Sequence, residues 1–252
     1  MNKPLTQKVE NEQTESHWSP RDDLFQDEHL YALDGYDILM GKEDSEECFW
    51  FCAHQNEGDR KAFVASLREA IGDKPVDNFV SDSFPSLELG TSKFKFETIP
   101  AHFDEAECDS GEAKICLYFF YGSKEDVKPA GFAYLTFHHD NYHKEADDIW
   151  ATVKIKSVFL LKEHRGKGVA ESIGAAISAS SARSWLDSIE TYREQNPEYY
   201  PEVDLTFEMD VVTKGGYAIY RSLCAEKETI QDLHADDMYE VGKLTVNCYD
   251  TY

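Results

Sequence analysis

The chain of 252 residues is long enough for one large domain, or for one domain with a sizeable extension, and 41% of its residues are hydrophobic. Its 49 acidic residues outnumber its 25 basic ones, which gives a formal net charge of −24. A chain this acidic repels phosphate backbones and anionic lipids, which argues against nucleic-acid binding and membrane anchoring. The same charge would attract a cationic small-molecule amine or a Lys-containing protein, although it also serves solubility alone.

The six cysteines lack the paired spacing of a zinc knuckle. No basic and then apolar signal segment opens the chain, and no apolar run approaches membrane-spanning length. These features predict a reduced, soluble, cytoplasmic protein.

The first part of the chain is predicted to be a polar acidic extension, residues 1–41, which precedes a single domain over residues 42–252. An apolar run predicts a strand over Cys48–Ala53. Apolar residues at helical spacing then predict a helix over Asp59–Ile71, with Gly72 beyond it as a stop signal.

The middle of the chain alternates strands with polar segments. Strands are predicted over Lys93–Ile99, Lys114–Tyr121, Ala130–Phe137 and Thr152–Leu161. An acidic loop, a turn and a polar loop are predicted over Phe103–Glu112, Gly122–Pro129 and His138–Asp148. Short connections between the last three strands predict an antiparallel meander. Beyond it the pattern becomes helix, strand, helix, strand, over Gly168–Tyr192, Val203–Val211, Gly215–Cys224 and Tyr239–Tyr249.

The segment between the strand Thr152–Leu161 and the long helix has the chemistry of a phosphate site. Gly166 and Gly168 allow a sharp turn and close approach of a ligand to the backbone. The first turn of the helix offers free N–H groups and a dipole that favours an anion. Arg165 and Lys167 add positive charge to an otherwise acidic chain, so a diphosphate is the expected occupant.

Two motifs in this part of the chain resemble those of the GNAT superfamily of acyl-CoA-dependent N-acetyltransferases. The family pattern Arg/Gln-x-x-Gly-x-Gly/Ala follows a strand and opens a helix, and here it reads Arg165-Gly166-Lys167-Gly168-Val169-Ala170. About fifty residues downstream the family has a strand and then a helix with a Tyr near its middle, a place that Tyr220 takes here. The two motifs and their surroundings span residues 114–224. The resemblance implies an α/β (α+β) fold with a mixed, mostly antiparallel central sheet flanked by helices.

The resemblance also implies roles for particular residues. The backbone N–H groups from Gly166 to Ala170, including Val169, would bind the diphosphate of acetyl-CoA or another acyl-CoA. Backbone groups of Val158, Phe159 and Leu160 would bind the pantetheine arm and polarise the thioester carbonyl. Tyr220 would protonate the departing thiolate, and the family fold often forms homodimers.

Several interpretations stay open at the level of sequence. Tyr220 could serve only as a packing residue. Glu208, which lies on the polar side of its predicted strand, is the best candidate for a base that deprotonates the amine, but it could equally line a solvated face. His139 and His143 have a metal-like spacing only within a helix, so we expect no metal site there. The predicted activity is transfer of an acetyl group to a primary amine. The alternatives are a non-catalytic acyl-CoA sensor and an acidic decoy.

Overall fold

The structure, a computed structural model, describes residues 48–52, 56–92, 110–123, 126–140, 148–178, 180–181, 194, 197, 202–235 and 243–250. The predicted extension 1–41 and the predicted strand Lys93–Ile99 lie outside the described residues. So do the side chains of Cys48, His139 and Asp140, and all of Cys108 and His143.

A six-stranded mixed sheet forms the centre of the described fold, with its strands arranged in chain order. The strands are β1 (Cys48–Cys52), β2 (Ser110–Ser123), β3 (Asp126–Asp140), β4 (Asp148–Leu160), β5 (Glu202–Met209) and β6 (Lys243–Asp250). Strands β1 to β4 pair antiparallel, which confirms the predicted meander. The pairings of β4 with β5 and of β5 with β6 are parallel. Three antiparallel and two parallel pairings therefore make up the sheet.

Helices cover both faces of this sheet. They are α1 (Glu57–Ile71), α2 (Asn78–Leu89), α3 (residues 169–178) and α4 (Lys214–Ala235). The start of α1 is set by Asn56, whose side chain accepts a hydrogen bond from the Asp59 N–H at 3.0 Å. Its end is set by Gly72, whose φ of 61° lies in the left-handed region that favours glycine. The predicted helix and its stop are thus confirmed.

Two hydrophobic cores form, one on each face of the sheet. Helices α1 and α2 bury Phe63, Leu67, Phe84 and Leu87 against Tyr118 and Phe132. Helices α3 and α4 bury Ile173, Ile177, Ile219 and Leu223 against Leu117, Phe119 and Phe207. Because β4, β5 and β6 are successive parallel strands, right-handed crossovers place α3 and α4 on the same face. The mixed α/β class that the sequence predicts is therefore observed.

Some element boundaries differ from those predicted. The predicted turn Gly122–Pro129 is wrong in extent, because β2 runs to Ser123 and β3 begins at Asp126. Pro129 lies inside β3 next to a register shift opposite Phe119 and Phe120, where a missing N–H is tolerated.

The predicted loops on the other side of the meander are also too long. Residues Ser110–Glu112 belong to β2 and not to the acidic loop, and His138–Asp140 belong to β3 and not to the polar loop. Helix α2 was not predicted, because Pro85 and its polar residues obscure the periodicity. Helix α4 extends well beyond the predicted end at Cys224. Within the described ranges, no helix has the length and apolar character needed to cross a membrane.

Candidate active site

The predicted phosphate loop joins β4 to α3. A short 3-10 turn over Lys162–His164 follows β4, and helix α3 begins at Val169. Gly166 and Gly168 have φ values of 74° and 82°, which L side chains rarely adopt. A Cβ atom placed on Gly166 would meet no atom within 4 Å, so conformation and not crowding requires glycine there. The same open space leaves the backbone of the loop accessible to a ligand.

The two cations of the loop are exposed and held next to the first turn of α3. The Nε atom of Arg165 donates to the Leu160 carbonyl oxygen at 2.7 Å, and its guanidinium lies 5.5 Å from the centre of the Phe159 ring. The Lys167 ammonium lies 5.8 Å from the centre of the Tyr121 ring. Exposed cations, free N–H groups and the helix dipole all favour an anion at this place.

His164 anchors the loop from beneath, a role that the sequence did not indicate. Its side chain is only 9% exposed and contacts the rings of Phe49 and Tyr121, with centroid distances of 5.2 and 4.8 Å. Its Nδ1 atom is buried without a hydrogen-bond partner in the structure. Burial holds the pKa of His164 below its ordinary value, because charging the ring would cost desolvation energy. The loop therefore rests on a neutral ring that packs against β1 and β2.

An open strand edge lies directly before this loop. Pairing of β4 with β5 ends at Ile155 and Met209, whereas β4 continues to Leu160 with only β3 beside it among the described strands. The Leu161 N–H donates to the Ala130 carbonyl oxygen at 2.8 Å, which fixes the alternation of hydrogen bonds along β4.

Beside residues 156–160 of β4, beyond the end of β5, lies a gap with no described strand. The alternation decides which backbone groups of β4 face this gap. Phe159, two residues before Leu161, directs its N–H and C=O groups to β3, and Val158 and Leu160 direct theirs away. The Leu160 carbonyl accepts from Arg165. The N–H and C=O groups of Val158 and the N–H of Leu160 therefore face the gap. The Phe159 ring lies under the Arg165 guanidinium, and no backbone group of Phe159 faces the gap.

Tyr220 lies on α4, partly buried against the core that α3 and α4 share. Its hydroxyl lies 3.5 Å from the Cys248 carbonyl oxygen, which is long for a hydrogen bond. A hydrogen bond with the Cys224 side chain, followed by burial and the neighbouring thiols, raises the pKa of Tyr220 to about 12. The phenol is thus neutral at physiological pH and has two cysteines beside it, neither of which the sequence indicated as part of a site.

A close helix contact fixes Tyr220 relative to the loop. A Cβ atom on Gly174 of α3 would lie 2.5 Å from the Cβ atom of Ser222 on α4. The Ser222 hydroxyl donates to the Glu171 carbonyl oxygen at 2.6 Å. The missing side chain at Gly174 therefore lets α3 and α4 approach closely, and the helix that carries Tyr220 is held against the helix that the loop opens.

Glu208 lies on the other face of the sheet. Its neighbour Phe207 points into the core of α3 and α4, so the half-buried Glu208 side chain points away from it. One carboxylate oxygen lies 4.0 Å from the Lys154 ammonium on β4. The structure thus brings the loop and the open edge of β4 together, and it places Tyr220 and Glu208 on opposite faces of the sheet. Glu208 is one residue from the point where β4 and β5 part.

Of the histidines on β3, the structure describes the side chain of His138. His138 is exposed on β3, and no group of three or more His, Cys, Asp or Glu side chains in the described ranges is arranged to hold a metal ion.

The fold and this site define a mixed α/β protein in which an open strand edge leads into a glycine-bearing loop at a helix N-terminus. No family model, curated protein or solved structure matches the chain.

Proposed function

We propose that the protein is an acyl-CoA-dependent N-acyltransferase, with acetyl as the default acyl group. The observation that carries the proposal is the continuity of the open edge at Val158 and Leu160 with the loop Arg165–Ala170. An acyl-CoA has an anionic diphosphate, an arm that contains amides, and a terminal thioester. The loop suits the diphosphate, and the free strand groups suit the amides and the thioester carbonyl. The motif resemblance, which rests on the same loop and on Tyr220, favours the same ligand.

The residues then have the following roles. The N–H groups from Gly166 to Ala170 bind the diphosphate together with Arg165 and Lys167. The backbone groups of Val158 and Leu160 hold the arm and place the thioester beside the acceptor amine, which supplies much of the rate by orientation. The amine attacks the thioester carbon, the C–S bond breaks, and the thiolate leaves. Glu208, directly or through water, takes the proton that the amine loses.

Tyr220 assists the leaving thiolate. Because the pKa of Tyr220 is raised above its ordinary value, which already exceeds the ~8.5 of a thiol, complete proton transfer to the thiolate is uphill. The chemistry therefore favours a hydrogen bond that Tyr220 donates to the thiolate as its charge develops, rather than full protonation.

The acceptor is proposed to be a cationic amine or a lysine side chain. The net charge of −24 raises the local concentration of cations near the molecule, an effect that salt screens.

A two-part experiment tests the proposal. Acetyl-CoA should raise the midpoint of thermal unfolding, since a ligand at a hundredfold excess over Kd adds about 2.7 kcal/mol to the native state. A panel of amines with acetyl-CoA should then release free thiol for at least one cationic member, with a rate that falls as salt is added. If millimolar acetyl-CoA does not raise the midpoint of thermal unfolding, the proposal is refuted and the acidic decoy is favoured.

A non-catalytic acyl-CoA sensor is the second candidate. The hydroxyl of Tyr220 lies 3.5 Å from the Cys248 carbonyl oxygen and the residue packs against the core, an arrangement that suits binding without turnover. Stabilisation by acetyl-CoA without thiol release for any amine would support the sensor.

A further inference from the structure

A pair of buried serine hydroxyls joins helix α2 to strand β4. The Oγ atoms of Ser83 on α2 and Ser157 on β4 lie 2.6 Å apart, and the two residues are only 3% and 5% exposed. The Ser83 hydroxyl donates its proton to the Phe79 carbonyl oxygen at 2.7 Å. Since a hydroxyl has one proton to donate, the Ser157 hydroxyl donates to Ser83. The two bonds form a chain from β4 to the backbone of α2, in which each bond strengthens the other.

Ser157 directly follows an irregularity in β4. Across from it on β3, Tyr134 pairs with Ser157 and Leu135 pairs with Ile155, so Lys156 is the extra residue of a β-bulge. Ile155 faces the core of α3 and α4, whereas Ser157 faces α2. Residues two apart in a regular strand face the same side, so the strand turns over at the bulge. The pairing of β4 with β5 also ends at Ile155, so the bulge lies where the gap begins.

The place of the bulge decides which backbone groups face the gap. With the bulge as observed, Val158 and Leu160 direct backbone groups to the gap and Phe159 bonds to β3. Without the bulge, β4 would slip by one residue along β3, and these two sets would exchange. The slip would also carry the Ser157 side chain to the other face and deprive the buried Ser83 hydroxyl of its donor. The bond between the two serines therefore opposes the slip.

We infer that Ser83 and Ser157 are positioning residues, because their hydrogen bond fixes the bulge and with it the backbone groups that would hold the arm of an acyl-CoA. Ring contacts support the same segment, since Phe159 packs on Phe132 at a centroid distance of 5.9 Å. Apolar contacts of this kind are non-directional, whereas a hydrogen bond has a narrow range of length and direction. The effect on the arm rests on the proposed function, whereas the fixing of the bulge does not.

The first experiment asks whether the pair fixes the strand, and it needs no ligand. NMR relaxation dispersion on the folded full-length chain detects a minor slipped register that exchanges in microseconds to milliseconds. Ser83→Ala and Ser157→Ala should both show such exchange at the amides of residues 157–160, and the Val153 amide before the bulge should give a flat profile. Flat profiles at residues 157–160 in both variants overturn the inference. Exchange that includes Val153 also overturns it, because it reports a general loosening of the sheet.

Thr136→Val is the matched control. Thr136 lies on β3, is 3% exposed, and has a buried hydroxyl without a hydrogen-bond partner in the described structure. Valine has nearly the same shape, so the variant removes a buried hydroxyl without removing a hydrogen bond. It should match the parent at residues 157–160. Exchange there equal to that of Ser157→Ala would show that loss of any buried hydroxyl loosens the sheet, and it would overturn the inference.

The second experiment asks whether the strand groups hold the arm, and it compares two probes. Acetyl-CoA has the diphosphate and the arm, whereas ADP has the diphosphate without the arm. In calorimetric titration, acetyl-CoA should bind about 10-fold more weakly to Ser83→Ala and to Ser157→Ala, the scale of one hydrogen bond, and ADP binding should be unchanged. The double variant should lose no more affinity than either single one, because both substitutions remove the same bond.

The results of titration distinguish a positioning role from general damage. Equal weakening of acetyl-CoA and ADP binding, or additive losses in the double variant, overturns the positioning role. Failure of the parent to bind acetyl-CoA refutes the proposed function and with it the role in binding the arm. Relaxation dispersion then still decides whether the two serines fix the bulge.

Discussion

Tyr220 and Tyr217 provide a matched pair of residues on one helix. Tyr220→Phe removes the hydroxyl and keeps the half-buried ring, so turnover should fall by roughly 10²–10⁴-fold if the hydroxyl assists the leaving thiolate. Affinity for acetyl-CoA should stay unchanged, because the lost interaction belongs to the transition state. Tyr217→Phe alters a side chain that is 54% exposed and should change neither quantity. The measurement is turnover per folded molecule beside acetyl-CoA affinity, and normal turnover in Tyr220→Phe would rule out the assisting role.

His164 should make stability depend on pH. Because burial lowers its pKa in the folded protein, the unfolded chain binds the proton more readily. The stability associated with the neutral ring is present above the unfolded pKa of about 6.5 and is lost as pH falls below it. His164→Phe keeps an aromatic ring against Phe49 and Tyr121, and it should show a smaller loss of unfolding free energy between pH 7 and 5. Denaturant unfolding at several pH values measures this, and identical pH profiles would contradict the assignment.

At the residue scale, the sequence predicted the parts of the site that local conformation decides. The positive φ values of Gly166 and Gly168, and the adjacent cations Arg165 and Lys167, follow from the local pattern. The contact of His164 with Phe49 and the approach of Tyr220 to the Cys248 carbonyl depend on packing between distant elements, which no local spacing encodes.

At the element scale, phosphate binding by the loop between β4 and α3 can be tested with two variants that differ in charge alone. Gly168→Asp and Gly168→Asn impose the same left-handed backbone on similar side chains, at a cost of about 1–2 kcal/mol in stability. Asp adds a negative charge at the helix N-terminus and should abolish acetyl-CoA binding, because it repels the diphosphate. Asn adds bulk without charge, so the Asn variant should bind acetyl-CoA measurably better than the Asp variant. Calorimetric titration of both folded variants is the test, and equal binding by the Asp variant and the parent would show that the loop holds no phosphate.

The elements themselves were predicted where hydrophobic periodicity was unbroken. Strands β3 and β4 and helix α1 have strong patterns and appear close to their predicted places. Helix α2 contains Pro85, whose usual meaning in a sequence is the end of a helix, so it was missed. The parallel pairing of β4 with β5 could not be derived from the meander that precedes it, because it depends on the crossover through α3.

At the scale of the whole molecule, the sheet combines two kinds of connection. Only residues 124–125 separate β2 from β3, and residues 141–147 separate β3 from β4. By contrast, the pairing of β4 with β5 must close a connection over residues 161–201, and that of β5 with β6 one over residues 210–242. Longer loops cost more entropy to close, and parallel pairs form only after their crossover is in place.

The order of folding follows from this difference. The hairpins of β2, β3 and β4 should form first, and β5 and β6 should join an existing template. Pulsed hydrogen exchange during refolding should therefore protect the amides of Leu117 and Phe132 before those of Leu205 and Val246, and simultaneous protection would refute this order. The gap between the open edge of β4 and the end of β5 is bounded only once the slow crossover has closed. A ligand held there could bind the completed protein but could not speed its assembly.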